Sequence, residues 1–185
     1  MKKIFILQLL LLINASIFGQ ELITDNPSFS KGLRSWQFGV ASYDEDTPDA
    51  EFKIIEDGVD AGSSACKVKV KIHTQSDNFN DAYLMHRNIA IKKGKTYRVI
   101  FHIKSNTIED KVLASIVSGT PPDLQRLDKR ELKFTGDGEW KKISYTFLAK
   151  KNKPNVDFKD LSLIFGFNHR FGTFYIDEIS IVQIP

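Results

Sequence analysis

Thr173-Phe174-Tyr175-Ile176-Asp177-Glu178-Ile179-Ser180-Ile181-Val182 is the stretch that decides the fold. Apolar residues recur at every second position, and an extended chain points successive side chains to opposite faces, so it reads as a closing strand. The alternation breaks once. Phe174 and Ile176 share one parity and Ile179 and Ile181 the other, so an extra residue at Asp177-Glu178 must reset the inward face, as a β-bulge does. Asp177 therefore sits at the bulge of an otherwise apolar strand. Burying a carboxylate without a partner would cost several kcal/mol. Its partner is either a bound cation or a hydrogen-bonded backbone turn.

The same period of two runs through the chain. Cys66, Val68, Val70 and Ile72 alternate with Lys67, Lys69, Lys71 and His73, and Tyr97, Val99, Phe101 and Ile103 alternate with Arg98, Ile100, His102 and Lys104. Ile143, Tyr145 and Phe147 form a further row, as do Leu161, Leu163, Phe165 and Phe167. Only Asp123 to Arg130 offers as much as a turn of helical spacing. Turn signals at Asp57-Gly58, Ala61-Gly62, Lys93-Gly94, Pro121-Pro122, Gly136-Asp137-Gly138 and Lys153-Pro154 divide the rows. The fold class is all-β, an antiparallel β-sandwich with strand spacing suited to a jelly roll.

At the N-terminus, Lys2 and Lys3 precede an apolar run from Ile4 to Phe18 that is interrupted by Gln8, Asn14 and Ser16. A charged segment followed by a short, broken apolar one has the form of a secretory signal peptide, assigned to residues 1–19 with cleavage before Gln20. No cysteine follows to carry a lipid, and no later apolar run reaches membrane-spanning length. Residues 20–185 then form one domain, large enough for a single core. Cys66 is the one cysteine, so no intramolecular disulfide forms, and its apolar parity marks a buried, inert thiol. Without Lys2 and Lys3 the chain carries 24 basic and 23 acidic residues, which gives no electrostatic case for nucleic acid.

Four segments occur in order. They are Asn26-Pro27-Ser28-Phe29-Ser30-Lys31-Gly32-Leu33-Arg34-Ser35-Trp36, then Lys93-Gly94-Lys95-Thr96-Tyr97-Arg98-Val99-Ile100-Phe101-His102-Ile103-Lys104-Ser105, then Gly138-Glu139-Trp140-Lys141-Lys142-Ile143-Ser144-Tyr145-Thr146-Phe147, and the closing strand. Together, from about residue 22 to 184, they resemble the carbohydrate-binding modules of families 4 and 9, which are galactose-binding-like jelly rolls. The resemblance implies a polysaccharide or oligosaccharide ligand held on one sheet. Matched residue by residue, it places Tyr83 where the family commonly has a ligand-contacting glutamine and Asn80, or its neighbour Phe79, near an aromatic platform. It also places His102 on the ligand-facing parity of the next strand, with Ile164 and Asp160 from the last strand pair. Tyr83 and His102 are then expected on one exposed surface. Ile164, where a polar contact is common, departs from the pattern and puts a β-glucan or xylan preference in question.

The family also carries a structural calcium, for which the resemblance implies Ser30, Asp60 and Asp177. Ser30 stands where glutamate is common and Asp60 is adjacent to the expected position, so Asp177 alone is retained. Calcium needs several oxygen ligands, and Ser30 and Asp60 are weak substitutes.

Other features favour ordinary explanations. The lysines from Lys67 to Lys71 are expected on a solvated sheet face that deters edge pairing. Trp36 and Trp140 are expected to pack inward. No G-x-S-x-G, H-E-x-x-H or C-x-x-C motif occurs, and His73, His86, His102 and His169 lack metal-site spacing. The acids Asp44-Glu45-Asp46 and Glu56-Asp57 lie in turn-rich stretches, where solvated loops are expected rather than a glycosidase pair. Three functions remain open. The first is a secreted, non-catalytic carbohydrate-binding protein accessory to polysaccharide degradation. The others are a structural or adhesive surface jelly roll without a sugar site, and a small polysaccharide lyase or glycoside hydrolase.

Overall fold

Among the described residues, alternating apolar positions form ten strands: β1 Trp36–Val40, β2 Ala50–Ile55, β3 Ala65–Val70, β4 Ala82–His86, β5 Thr96–Ser105, β6 Asp110–Ser118, β7 Gln125–Phe134, β8 Lys141–Leu148, β9 Leu161–Gly166 and β10 Gly172–Ile184. The computed structural model describes residues 20–23, 25–40, 50–70, 82–106, 110–119, 123–150, 154–167 and 172–185. The signal segment 1–19 lies outside them, as do Phe79 and Asn80. Among the described residues no helix is long and apolar enough to cross a membrane.

The strands pair antiparallel into two five-stranded sheets, β1-β4-β9-β6-β7 and β2-β3-β10-β5-β8, which form a jelly-roll sandwich. The inward parities are those of the sequence. Tyr97, Val99, Phe101 and Ile103 on β5 are at most 1% exposed, and Leu161, Leu163 and Phe165 on β9 are fully buried. Rings bridge the layers: Phe101 meets Phe165 edge-on at 4.9 Å, and Phe167 meets Phe174 at 5.3 Å. Such pairs add about 0.5–1.5 kcal/mol each beyond the area they bury. Cys66 is buried in the same core, and burial pushes its thiol pKa up to about 12, which keeps it inert.

The bulge stands at the expected place. Against β5, Asp177 pairs with His102 and Ser180 with Ile100, so Glu178 and Ile179 together oppose Phe101. Glu178 takes the left-handed backbone conformation, φ 47°, which accommodates the extra residue. Phe174, Ile176, Ile179 and Ile181 are consequently all buried despite their change of parity.

Two expectations change. Asp123 to Arg130 is not a helical turn; Gln125 onward is the edge strand β7. A bulge between Ile116 and Val117 of β6 gives it an extra residue, Leu127, and so obscures its alternation. Trp36 is core, 5% exposed, whereas Trp140 is only half-buried and lies outside the core, with the Lys104 ammonium 4.9 Å from its ring. Lys104 also lies 4.7 Å from the Tyr175 ring and pairs with Asp57 at 2.7 Å. Attraction to two ring faces and a carboxylate holds this cation in place.

Candidate functional site: the outer face of one sheet

Residues opposite one another across a strand pair point to the same side, so the inward set of the β1-β4-β9-β6-β7 sheet fixes its outward set. The outward face carries Gln37 and Gly39 from β1, Tyr83 and Met85 from β4, and Ser162, Ile164 and Gly166 from β9. Leu113, Ser115 and Val117 follow from β6, and Arg126, Lys129 and Glu131 from β7.

Tyr83 occupies this face in a particular way. A Cβ on Gly39 would stand 2.8 Å from the Tyr83 hydroxyl oxygen and 3.0–3.2 Å from two ring carbons. The hydroxyl end of the ring therefore lies over Gly39 of β1, where a side chain would collide with it. Its inner edge packs on a small cluster of Met85, Val117 and Ile164, with Leu124 alongside. The centre of the face is closed to solvent, because Met85 is 1%, Val117 0% and Ile164 4% exposed. The hydroxyls of Ser115 and Ser162 are buried there without a hydrogen-bond partner among the described residues. Exposure is confined to the flanks, with half-buried Tyr83 on one side and Lys129 and Glu131 on the other.

Of the sequence-derived residues, Tyr83 and Ile164 meet on this surface: Tyr83 pairs with Gly166, and Ile164 with Met85. Asp160 lies half-buried immediately before β9. Phe79 and Asn80 are outside the described residues. His102 does not join them, which corrects the expectation of a single Tyr83–His102 surface. β4 and β5 are not a hairpin; β4 lies between β1 and β9, while β5 lies between β10 and β8 in the opposite sheet. The parity of His102 was read correctly, since Phe101 beside it is fully buried. Its Nδ1 lies 3.0 Å from Glu178 Oε2, close enough for an ion pair but not aligned for a hydrogen bond. Burial lowers the His102 pKa more than Glu178 raises it.

Two of the three residues implied for calcium, Asp177 and Asp60, have other partners. Asp177 is fully buried, its Oδ2 accepts from the Val59 backbone N–H at 3.0 Å, and its Oδ1 accepts from the Glu178 N–H at 2.7 Å. A Cβ on Gly58 would stand 2.7 Å from the same Oδ2, so the turn wraps the carboxylate tightly. Burial still wins over the two hydrogen bonds and pushes the Asp177 pKa up to about 6. Asp60 is exposed and its backbone is tied to Ser63, while Ser30 is exposed in the opening turn. Among the described residues no group of three or more His, Cys, Asp or Glu is placed to hold a metal ion. The Val59 and Glu178 backbone N–H groups are the hydrogen-bond partners that Asp177 has in this structure.

The sequence matches the model of the carbohydrate binding domain of the 4/9 type over residues 22–159. The chain belongs to this family. No curated relative matches it by sequence. Among solved structures it is similar to a family 4 module, at TM-score 0.60 and 16% identity, with 90% of this chain and 96% of the other covered. It is similar also to the CBM22-1 xylan-binding domain of Paenibacillus barcinonensis, at TM-score 0.61 and 11% identity over 90% and 96% of the two chains. A third match is an α-L-arabinofuranosidase of family GH51, at TM-score 0.62 and 11% identity. There this chain is covered to 90% but spans only 27% of the enzyme. At these identities the likeness is one of fold.

Proposed function

We propose that the protein is a secreted, non-catalytic carbohydrate-binding domain, accessory to polysaccharide degradation, which holds a glycan against the outer face of β1-β4-β9-β6-β7 at Tyr83. The observation that carries this reading is the Tyr83 ring lying over Gly39 on the outer face of a sheet, in a chain that belongs to a carbohydrate-binding family. A flat ring offers its face to the C–H side of a sugar and its hydroxyl to the sugar's own hydroxyls. The match to a xylan-binding domain and to part of an arabinofuranosidase supports a partner of the cell-wall polysaccharide class. The signal-like segment 1–19 supports export.

The closed centre of the face favours a second reading, a structural jelly roll without a sugar site. Affinity gel electrophoresis of the mature chain in xylan, mixed-linkage β-glucan and arabinan separates the two. Retardation in at least one gel is expected, and Tyr83→Ala should weaken it about tenfold, the loss of roughly 1–2 kcal/mol, at a temperature where both proteins are folded. Unretarded migration in all three, or retardation indifferent to Tyr83→Ala, overturns the assignment to this face.

A further inference from the structure

The other sheet, β2-β3-β10-β5-β8, has an outer face of its own, and its charges are unevenly compensated. Cross-strand partners point to the same side, so one row runs Lys53, Lys67, Tyr175 and Lys104 across β2, β3, β10 and β5. This is the outward parity, because Cys66 and Val68 on β3 and Phe174 and Ile176 on β10 are buried. Lys69 stands in the next row, between Glu51 and Thr173. β3 lies inside the sheet, between β2 and β10, so its lysines do not serve to deter edge pairing, which corrects that expectation.

Most charges on this face have partners. Asp57 takes Lys104 at 2.7 Å, Glu178 faces His102 at 3.0 Å, and Glu51 stands opposite Lys69. Lys53 and Lys67 instead stand directly opposite each other, and neither has an ion pair among the described residues. Opposed positions hold their Cβ atoms about 4.5–5.5 Å apart, and like charges placed so destabilise a sheet. Lys53 is exposed and Lys67 half-buried, so an anion can reach the pair from solvent. A carboxylate set between the two ammoniums accepts from both and removes their repulsion.

The neighbour of Lys67 on its other side narrows the anion. Tyr175 is half-buried, with the Lys67 ammonium 5.9 Å and the Lys104 ammonium 4.7 Å from its ring. A side chain with an apolar body and a hydroxyl tip suits a sugar ring better than a bare inorganic anion. With Lys2 and Lys3 set aside the chain carries 24 basic and 23 acidic residues, so the positive charge is a local feature and not the surplus that draws nucleic acid.

We propose that Lys53, Lys67 and Tyr175 form a second saccharide site, which takes a uronate residue of an acidic polysaccharide with its carboxylate between the two ammoniums. The inference rests on the carbohydrate-binding reading but not on Tyr83, which lies on the other sheet. Its test is affinity gel electrophoresis of the mature chain in polygalacturonate and in alginate, at about 0.15 M salt so that exposed long-range attraction is screened. At least one gel should retard the protein. Lys53→Gln with Lys67→Gln should weaken that retardation several-fold, whereas Lys92→Gln with Lys95→Gln, which removes the same charge from two exposed lysines before β5, should preserve it. The first pair of substitutions removes a like-charge contact, so its melting temperature should not fall below that of the wild type, which separates lost binding from lost folding. Tyr83→Ala should leave retardation in these two gels unchanged, and the Lys53–Lys67 variant should leave any retardation in xylan, β-glucan or arabinan unchanged. If neither acidic gel retards the protein, or if the charge-matched control loses as much, the proposal is wrong. Retardation lost in Tyr83→Ala would assign the uronate to the other sheet and overturn it. Equal affinity for duplex DNA or for vesicles containing phosphatidylserine would make this a general anion surface and overturn it as well.

Discussion

Replacing Asp177 by Asn changes how stability depends on pH. The fold raises the Asp177 pKa from an ordinary 3.8 to about 6, burial being the largest cause. The folded protein thus holds this proton more tightly than the unfolded chain does. The resulting stabilisation is complete below about pH 4 and is lost as the pH rises through about 6. A tenfold change in proton affinity corresponds to about 1.4 kcal/mol, so the ionised form is about 3 kcal/mol less favourable in the fold than in water. Asn cannot titrate, and although it leaves one of the Val59 and Glu178 N–H groups without an acceptor, that loss is the same at every pH. Urea unfolding of both proteins at pH 4, 5, 6 and 7 should show wild-type stability, measured relative to Asp177→Asn, falling by about 2 kcal/mol across the series, since part of the stabilisation is already lost at pH 4. A constant difference would refute the reasoning. A difference that grows in favour of the wild type with rising pH would refute it more sharply, because that is how a carboxylate held by a cation behaves.

Three further outcomes are expected. Gly58→Ala would place a methyl group 2.1 Å from Ser63 Oγ and 2.7 Å from Asp177 Oδ2, so thermal unfolding should show a loss of about 1–3 kcal/mol; an unchanged midpoint would mean that the turn is not tightly packed. Calcium at millimolar level and a chelator should both leave the melting temperature within about 1 °C, and a rise with calcium would show a cation-linked native state. Expression in a secreting host should yield a protein beginning at or near Gln20, and mass spectrometry detecting Met1 on exported chain would exclude cleavage of the leader.

What the sequence revealed was parity, and what it withheld was sheet membership. The change of face at Asp177-Glu178 is a local property of period two, so the bulge could be read from four apolar positions. The family resemblance put Tyr83 and Ile164 on the ligand-facing side, and the β4–β9 pairing brings them to one surface. His102 was misplaced because Lys93-Gly94 resembles a hairpin turn between neighbours, whereas Ile89 and Ile91 carry the chain from one layer to the other. Gly39 as the bed for the Tyr83 ring was missed too; an isolated glycine inside a strand is the available signal, since it often marks a close approach.

The position of β10 bears on how the protein reaches its fold. Of the described strands it is the last to leave the ribosome, yet it is the middle strand of its sheet, bonded to β3 on one side and β5 on the other. Glu21 then clasps it from the N-terminal side, its Oε1 accepting from the Ile181 N–H at 2.9 Å. Until β10 arrives, the β2–β3 and β5–β8 pairs have no strand to join them, so that sheet cannot close during synthesis. Closure waits on contacts between distant parts of the chain, which makes folding slow and late. A truncation before Gly172 would leave the inner edges of β3 and β5 free to pair with other molecules.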